Sequence, residues 1–249
     1  MNFISVSKNE GIATITLQRG KVNAINEVVV AELDECLSDL EIDPEINSII
    51  LTGQGKFFSF GFDIPEFLSF SKDDFAQFLT QFTNLYTRVF LFPKPIIAAL
   101  NGHTMAGGCM LASACDWKIM VSGKSKIALN EIGFGSSVLA GSVEMLGYCA
   151  GWKNAEKVLF SGSMYMAEEA LTLGMIDQVS TEEELTSEAE AKARELGKKD
   201  ATAFNSIKKL LREPVAERMV NREKASIQEV CAIWYSPKTR ENLQQIKIK

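Results

Sequence analysis

The segment Pro95-Ile96-Ile97-Ala98-Ala99-Leu100-Asn101-Gly102-His103-Thr104-Met105-Ala106-Gly107-Gly108-Cys109-Met110 and its continuation Leu111-Ala112-Ser113-Ala114-Cys115 constrains the fold more than any other. A short apolar run, a glycine-containing turn and a second apolar run of small side chains read as strand, turn and buried helix. Glycines at such a turn let the backbone approach a ligand closely and leave N–H groups at the helix start free to point at it. A donor on the positive end of a helix suits an oxygen that gains negative charge during a reaction. The Gly107-Gly108 pair by itself, however, reads first as tight strand–helix packing.

The rest of the chain repeats this rhythm. Residues 2–18 alternate apolar and polar positions around Asn9-Glu10-Gly11 and predict a hairpin. Asn26 is the expected N-cap of a helix ending near Asp43-Pro44, with Val29, Val30, Leu33, Cys36, Leu37 and Leu40 on its buried face. Residues 46–51 predict a strand, a helix starts at Lys72, and Trp117–Val121 and 125–129 predict two further strands. A loop over 130–135, helices near 138–148 and 152–161, a short helix 167–174 and a strand 175–179 follow. From Thr181 onward the pattern is helical and charged, with Thr181 and Glu184 spaced as a capping box, Pro214 at a helix start and Pro237 before the tail. The expected fold class is α/β, in units of two strands and a helix, with a core over 1–195 and an all-helical region over 196–249. That region could pack on its own core or on a neighbouring subunit.

Composition narrows the function. The 249 residues carry a net charge of −6 with no basic run, which argues against a nucleic-acid partner. No apolar run approaches a membrane span, and no secretory signal is expected at Met1-Asn2-Phe3-Ile4-Ser5. Lys247-Ile248-Lys249 matches no address signal. The five cysteines (Cys36, Cys109, Cys115, Cys149 and Cys231) form no CxxC pair, and His103 is the single histidine. A reducing cytoplasm and no metal site are the natural expectations.

Eleven of the fifteen phenylalanines lie in residues 57–92, as either plain core or an apolar wall for a fatty chain. Three segments then stand out: Phe58-Ser59-Phe60-Gly61-Phe62-Asp63-Ile64, Ala106-Gly107-Gly108-Cys109, and Leu129-Asn130-Glu131-Ile132-Gly133. The first two each offer a glycine-flanked N–H, and two such groups converging on one oxygen make an oxyanion hole. The third offers a lone carboxylate in an apolar setting.

With these motifs, with Lys21-Val22-Asn23-Ala24-Ile25-Asn26 and with Ala167-Glu168-Glu169-Ala170-Leu171-Thr172-Leu173-Gly174-Met175-Ile176-Asp177, the chain resembles the crotonase superfamily (enoyl-CoA hydratase/isomerase) over essentially its whole length. The resemblance implies a spiral of ββα units with a C-terminal helical region that forms trimers, often paired into hexamers. It implies an acyl-coenzyme A thioester as substrate, with no separate cofactor, and a place in fatty-acid metabolism. It also implies an oxyanion hole from the N–H groups of Phe62 and Gly107, with Lys21, Val22, Ala24, Gly61, Asp63, Ile64 and Gly108 as substrate-binding positions.

Two departures from the family pattern matter. Family hydratases carry a glutamate where this chain has Met110, and they use two carboxylates to place water across a double bond. Here only the second acidic position is filled, by Glu131, a pattern that resembles the Δ3,Δ2-enoyl-CoA isomerase branch. Phe62 stands where small residues are commoner, which changes the pocket's shape but leaves the backbone donor. One acid suffices for isomerisation: it takes the acidic C2 proton of a 3-enoyl thioester and returns it at C4. Burial among Leu129, Ile132 and Phe134 is expected to raise the pKa of Glu131. The other readings are a hydratase with a relocated acid and a coenzyme A-binding protein or assembly subunit without catalysis. His103 and Asp63 are read as structural, and Glu144 and Lys56 as surface residues.

Overall fold

A computed structural model describes residues 1–246; the segment Lys247-Ile248-Lys249 read above lies outside the described residues. In chain order the elements are β1 (Ile4–Asn9), β2 (Ile12–Leu17), α1 (Glu27–Ile42), β3 (Ser48–Gly53), β4 (Phe57–Ser59), α2 (Ile64–Phe67), α3 (Lys72–Leu91), β5 (Ile96–Leu100), β6 (His103–Met105), α4 (Gly107–Ala114), β7 (Trp117–Val121) and β8 (Ile127–Ala128). A 3₁₀ turn (Glu131–Phe134), α5 (Ala140–Ala150), α6 (Trp152–Ser161), α7 (Ala167–Leu173), β9 (Gln178–Ser180), α8 (Leu185–Gly197), α9 (Ala201–Trp234) and α10 (Pro237–Leu243) follow.

The strands form two sheets. The larger has the order β1-β2-β3-β5-β7-β9, antiparallel only between β1 and β2; the smaller, β4-β6-β8, is parallel throughout. After the β1–β2 hairpin, whose two strands both lie in the large sheet, successive units lay one strand in the large sheet and the next in the small one, then turn into helix, as in β5-β6-α4. This is the expected α/β spiral of ββα units. It places the ends of β4 and β6, and the turns that follow them, side by side.

Both faces of the large sheet are covered. Ile12, Ile50, Ile97, Ala99, Ile119 and Val121 meet Leu185, Ala189 and Ala193 of α8. The opposite face joins the main core with α1, α3, α4 and α9. Asn26 caps α1 by accepting from the Val29 N–H at 3.1 Å, and Ser71 caps α3 by accepting from Asp74 at 3.1 Å. On α3, Phe75, Phe78, Leu79, Phe82, Leu85, Tyr86, Val89 and Phe90 recur at helical spacing and are all buried.

The helical tail packs on its own core. Val215, Ala216, Met219, Ile227, Val230, Cys231 and Trp234 of α9 belong to the same hydrophobic cluster as α3. Glu223 is buried on α9, where it accepts from Tyr86 Oη at 2.7 Å and from the Gly141 N–H at 2.9 Å. No helix among the described residues is long and apolar enough to cross a membrane.

Several expectations need correction. The 130–135 loop contains the 3₁₀ turn. The last strand begins at Gln178, because the amide of Met175 is taken by the Ala170 carbonyl at the end of α7 and the Lys118 N–H of β7 is taken by the Asp177 carboxylate rather than by main chain. Pro214 lies inside α9 rather than at a helix start. The proline is exposed, and Leu210, whose carbonyl loses its helical donor, is 76% exposed, so water can replace the missing bond. Thr181 and Glu184 do pair, but in the turn that precedes α8. Glu144 is buried on α5, held by Arg218 at 2.9 Å and by Arg222 from α9.

Candidate active site

The turn after β4 and the turn after β6 meet. Gly61 has φ +97°, and a Cβ added there would stand 2.9 Å from the Met105 carbonyl and 3.0 Å from the Gly107 nitrogen. The chain from Val22 to Ile25 runs alongside: Phe60 donates to Val22, Ile25 to Gly61 and Asp63 to Ile25. With the Gly61 N–H donated to Ser59 Oγ at 3.1 Å, the amides on either side of Phe62 are engaged, while its own N–H has no acceptor among the described residues. The N–H of Gly107, at the first position of α4, is likewise unaccepted there. Its orientation depends on Ala106, which takes φ +45°, ψ −117°, a strained setting for a side-chain-bearing residue. Two unaccepted donors therefore lie on adjacent loops, on either side of the Gly61 junction. The Phe62 ring lies against Gly107, where a Cβ would come within 2.8 Å of it.

A cavity of about 400 Å³ opens beside this junction. Phe62, Ile64, Phe75, Leu79 and Met110 wall it from the core, and Val230, Trp234 and Ile246 wall it from the tail. Glu131 is the only carboxylate among the residues that line it. The Glu131 side chain is 6% exposed as a residue, and neither carboxylate oxygen has a hydrogen-bond partner. Burial pushes its pKa up to about 8, opposed only by its own backbone N–H. Cys109 is the thiol whose charge it would repel, and that thiol is itself driven up by burial and by Glu131. Leu129 is buried and Phe134 lines the cavity, as expected, but Ile132 is 51% exposed. With three residues per turn in a 3₁₀ segment, the residue after Glu131 points away from the cavity.

The other expected positions divide. Ile64 lines the cavity, and Gly61 forms the junction beside it. Gly108 packs against Ser59, with no room for a Cβ. Lys21 is exposed, Val22 half-buried and Ala24 buried, on the strip beside residues 60–63. Asp63 caps α2 by accepting from Glu66 at 3.2 Å and pairs with Arg19 at 2.6 Å, so its carboxylate is already engaged. Lys56 is exposed.

His103, read as structural, lines the cavity: it lies tilted against Phe57 at 5.0 Å and accepts from the Lys126 N–H at 3.3 Å, and burial with the nearby Lys126 charge lowers its pKa. Trp234, a lining residue not singled out by sequence, stacks on Phe75 at 4.5 Å. It sits in the tail, where periodicity alone gave no hint of a pocket. No group of three or more metal-ligating side chains stands together among the described residues.

Residues 7–245 match the family described as enoyl-CoA hydratase/isomerase. The chain is 33% identical over 213 residues to a probable enoyl-CoA hydratase of Bacillus subtilis, covering 85% of this chain and 82% of that protein. It is 28% identical over 220 residues to the mitochondrial enoyl-CoA delta isomerase 1 of Mus musculus, covering 88% and 76%. Among solved structures, human mitochondrial Δ3,Δ2-enoyl-CoA isomerase superposes with a TM-score of 0.91 at 27% identity, over 97% of this chain and 95% of that one.

Proposed function

The chain belongs to the enoyl-CoA hydratase/isomerase family, and from that premise we propose that it is a Δ3,Δ2-enoyl-CoA isomerase. The observation that carries the reading is the single carboxylate: Glu131 is the one acid lining a mostly apolar cavity, and Met110 stands where a second acid would be needed to add water.

The thioester oxygen sits between the N–H groups of Phe62 and Gly107. Ionised Glu131 removes a C2 proton, and the negative charge moves to that oxygen as the dienolate forms. Preorganised donors hold this charge more strongly than the ground-state carbonyl, which lowers the barrier. The protonated Glu131 then delivers the proton to C4, the electrons return, and the double bond rests between C2 and C3. Proton count and charge are unchanged. A raised pKa makes the carboxylate a stronger base and keeps its proton available for return.

The strip of Lys21, Val22 and Ala24 beside Asp63 is assigned to the coenzyme A moiety, with Gly61, Ile64 and Gly108 around the thioester. The assembly is assigned as a trimer or a pair of trimers. Exposed Ile207, Leu210, Leu211 and Val220 on α9 support a subunit contact. The five cysteines are free, which supports a reducing compartment such as the cytoplasm.

The test offers the purified protein a 3-enoyl-CoA and, separately, a 2-enoyl-CoA. Isomerisation of the first without hydration of the second is expected. Hydration of the second would favour the hydratase reading, which the 33% identity to a probable hydratase keeps in view. Thioester binding without turnover of either would leave a binding protein.

A further inference from the structure

The 3₁₀ turn that carries Glu131 ends at Gly135, whose φ of +80° takes the chain out of the helix. The carbonyls of Phe134 and Gly135 are thus helix-end acceptors that the local chain does not satisfy. Helix α10 supplies their donors. Thr239, itself buried, donates its hydroxyl to the Gly135 carbonyl at 2.7 Å, and Asn242 Nδ2 donates to that of Phe134 at 3.1 Å. Ser236, the N-cap of α10, donates to Thr239 Oγ1 at 3.1 Å and so orients the hydroxyl.

The same segment also grips the opposite wall. Tyr235 Oη lies 2.8 Å from the carbonyls of both Phe70 and Ser71, and Arg240 Nη2 donates to Leu68 at 2.7 Å. These bonds run from side chains to main-chain carbonyls, so this particular sequence sets them rather than general helix packing. Two of the cavity-lining residues, Trp234 and Ile246, flank the segment on either side.

We propose that Thr239 and Asn242 are positioning residues for Glu131: α10 straps the 3₁₀ turn to the α2–α3 wall and so fixes where the carboxylate stands. The inference rests on the proton transfer proposed above and assigns to the tail a part in it. One carboxylate that must reach both C2 and C4 tolerates little displacement, and a misplacement of about 1 Å can cost on the order of a hundredfold in rate. Neither residue needs to touch the substrate, since each acts through a carbonyl three or four residues beyond Glu131.

The test compares the full-length protein with Thr239→Val, which keeps shape and removes the donor, with Thr239→Ser, which restores it, and with Asn242→Ala. Two readouts are taken: kcat and KM on a 3-enoyl-CoA, and the titration of the Glu131 carboxyl by carbon-13 NMR, its signal assigned by loss in Glu131→Gln. In Thr239→Val, kcat falls roughly tenfold or more with KM within about twofold. The carboxyl then titrates below the wild-type value of about 8, as water reaches a looser turn. Thr239→Ser returns both. Wild-type kcat and titration in Thr239→Val, a loss that Thr239→Ser does not restore, or a change in KM alone would overturn the inference. If the unmodified protein isomerises no 3-enoyl-CoA, the proposed function fails, and the titration alone decides the positioning role. If Thr239→Val does not fold, Asn242→Ala, at a half-buried site, is judged by the same two readouts.

Discussion

The amide nitrogen of Gly107 lies 3.0 Å from the point that a side chain on Gly61 would occupy. The two candidate oxyanion donors can approach one another because that point is empty. Gly61→Ala fills it, and does so at φ +97°, where a side chain is strained as well. The two loops must then separate. Loss of one donor's geometry is expected to lower kcat by roughly a hundredfold or more, measured on a 3-enoyl-CoA. A variant that keeps wild-type turnover would mean that the Phe62 and Gly107 amides do not act together.

Glu131→Gln keeps the shape of the side chain but cannot accept the C2 proton. It is expected to lower kcat by about 10²- to 10⁴-fold while thioester binding, read by calorimetry, stays near the wild-type value. Near-normal turnover would move the chemistry to another residue.

The pH dependence follows from the buried carboxyl. Glu131 must be ionised to act as base, and it titrates at about 8. For the free enzyme, kcat/KM should therefore rise about tenfold per pH unit on the acid side and level off above the titration point. A profile flat from pH 5 to 9 would contradict a base with this environment.

Stability should carry the same signature with the opposite sign. The folded-state pKa of Glu131 is raised, so its contribution to stability is fully present below the unfolded value and is lost as pH rises through about 8. The loss amounts to at most about 5 kcal/mol. Glutamine does not ionise, so the thermal midpoint of Glu131→Gln should exceed that of the wild type at pH 9 by more than it does at pH 5. Equal differences at both pH values would show that Glu131 is not desolvated in solution.

Glu144 tests the junction between α5 and the tail. Its carboxylate is buried while its partners Arg218 and Arg222 are about half exposed, so screening weakens the pair. Glu144→Ala is expected to destabilise the protein by about 1–3 kcal/mol with kcat unchanged. Denaturant unfolding measures the first and the isomerase assay the second; an unaltered unfolding midpoint would make Glu144 the surface residue that its sequence context suggested.

Much of the fold was legible in local pattern. The Asn26 cap, the phenylalanine face of α3, and the strand and helix at the two ends of Pro95–Ala114 arise from neighbours within a few positions, and the structure places them as read, although the turn between that strand and helix contains the further strand β6. Pro214 was misread because its local chemistry fits a helix start. It stays inside α9 because the lost bond falls on an exposed face, while the opposite face is packed in the core with α3. Glu144 was misread for a related reason: its partners lie 74 and 78 residues away in sequence.

The sequence by itself determined the strands of the large sheet and most of the helices, because apolar periodicity and capping are local properties, and its family resemblance pointed to Phe62, Gly107 and Glu131; the short strands β4 and β6 and helix α2 were not legible in it. It could not determine the proton affinity of Glu131, the free amides of Phe62 and Gly107 or the strained Ala106. Nor could it show that Trp234 of the tail lines the cavity and that Thr239 bonds the turn that carries Glu131. Those depend on desolvation and on hydrogen-bond competition, and both are sums over segments that only the folded chain brings together.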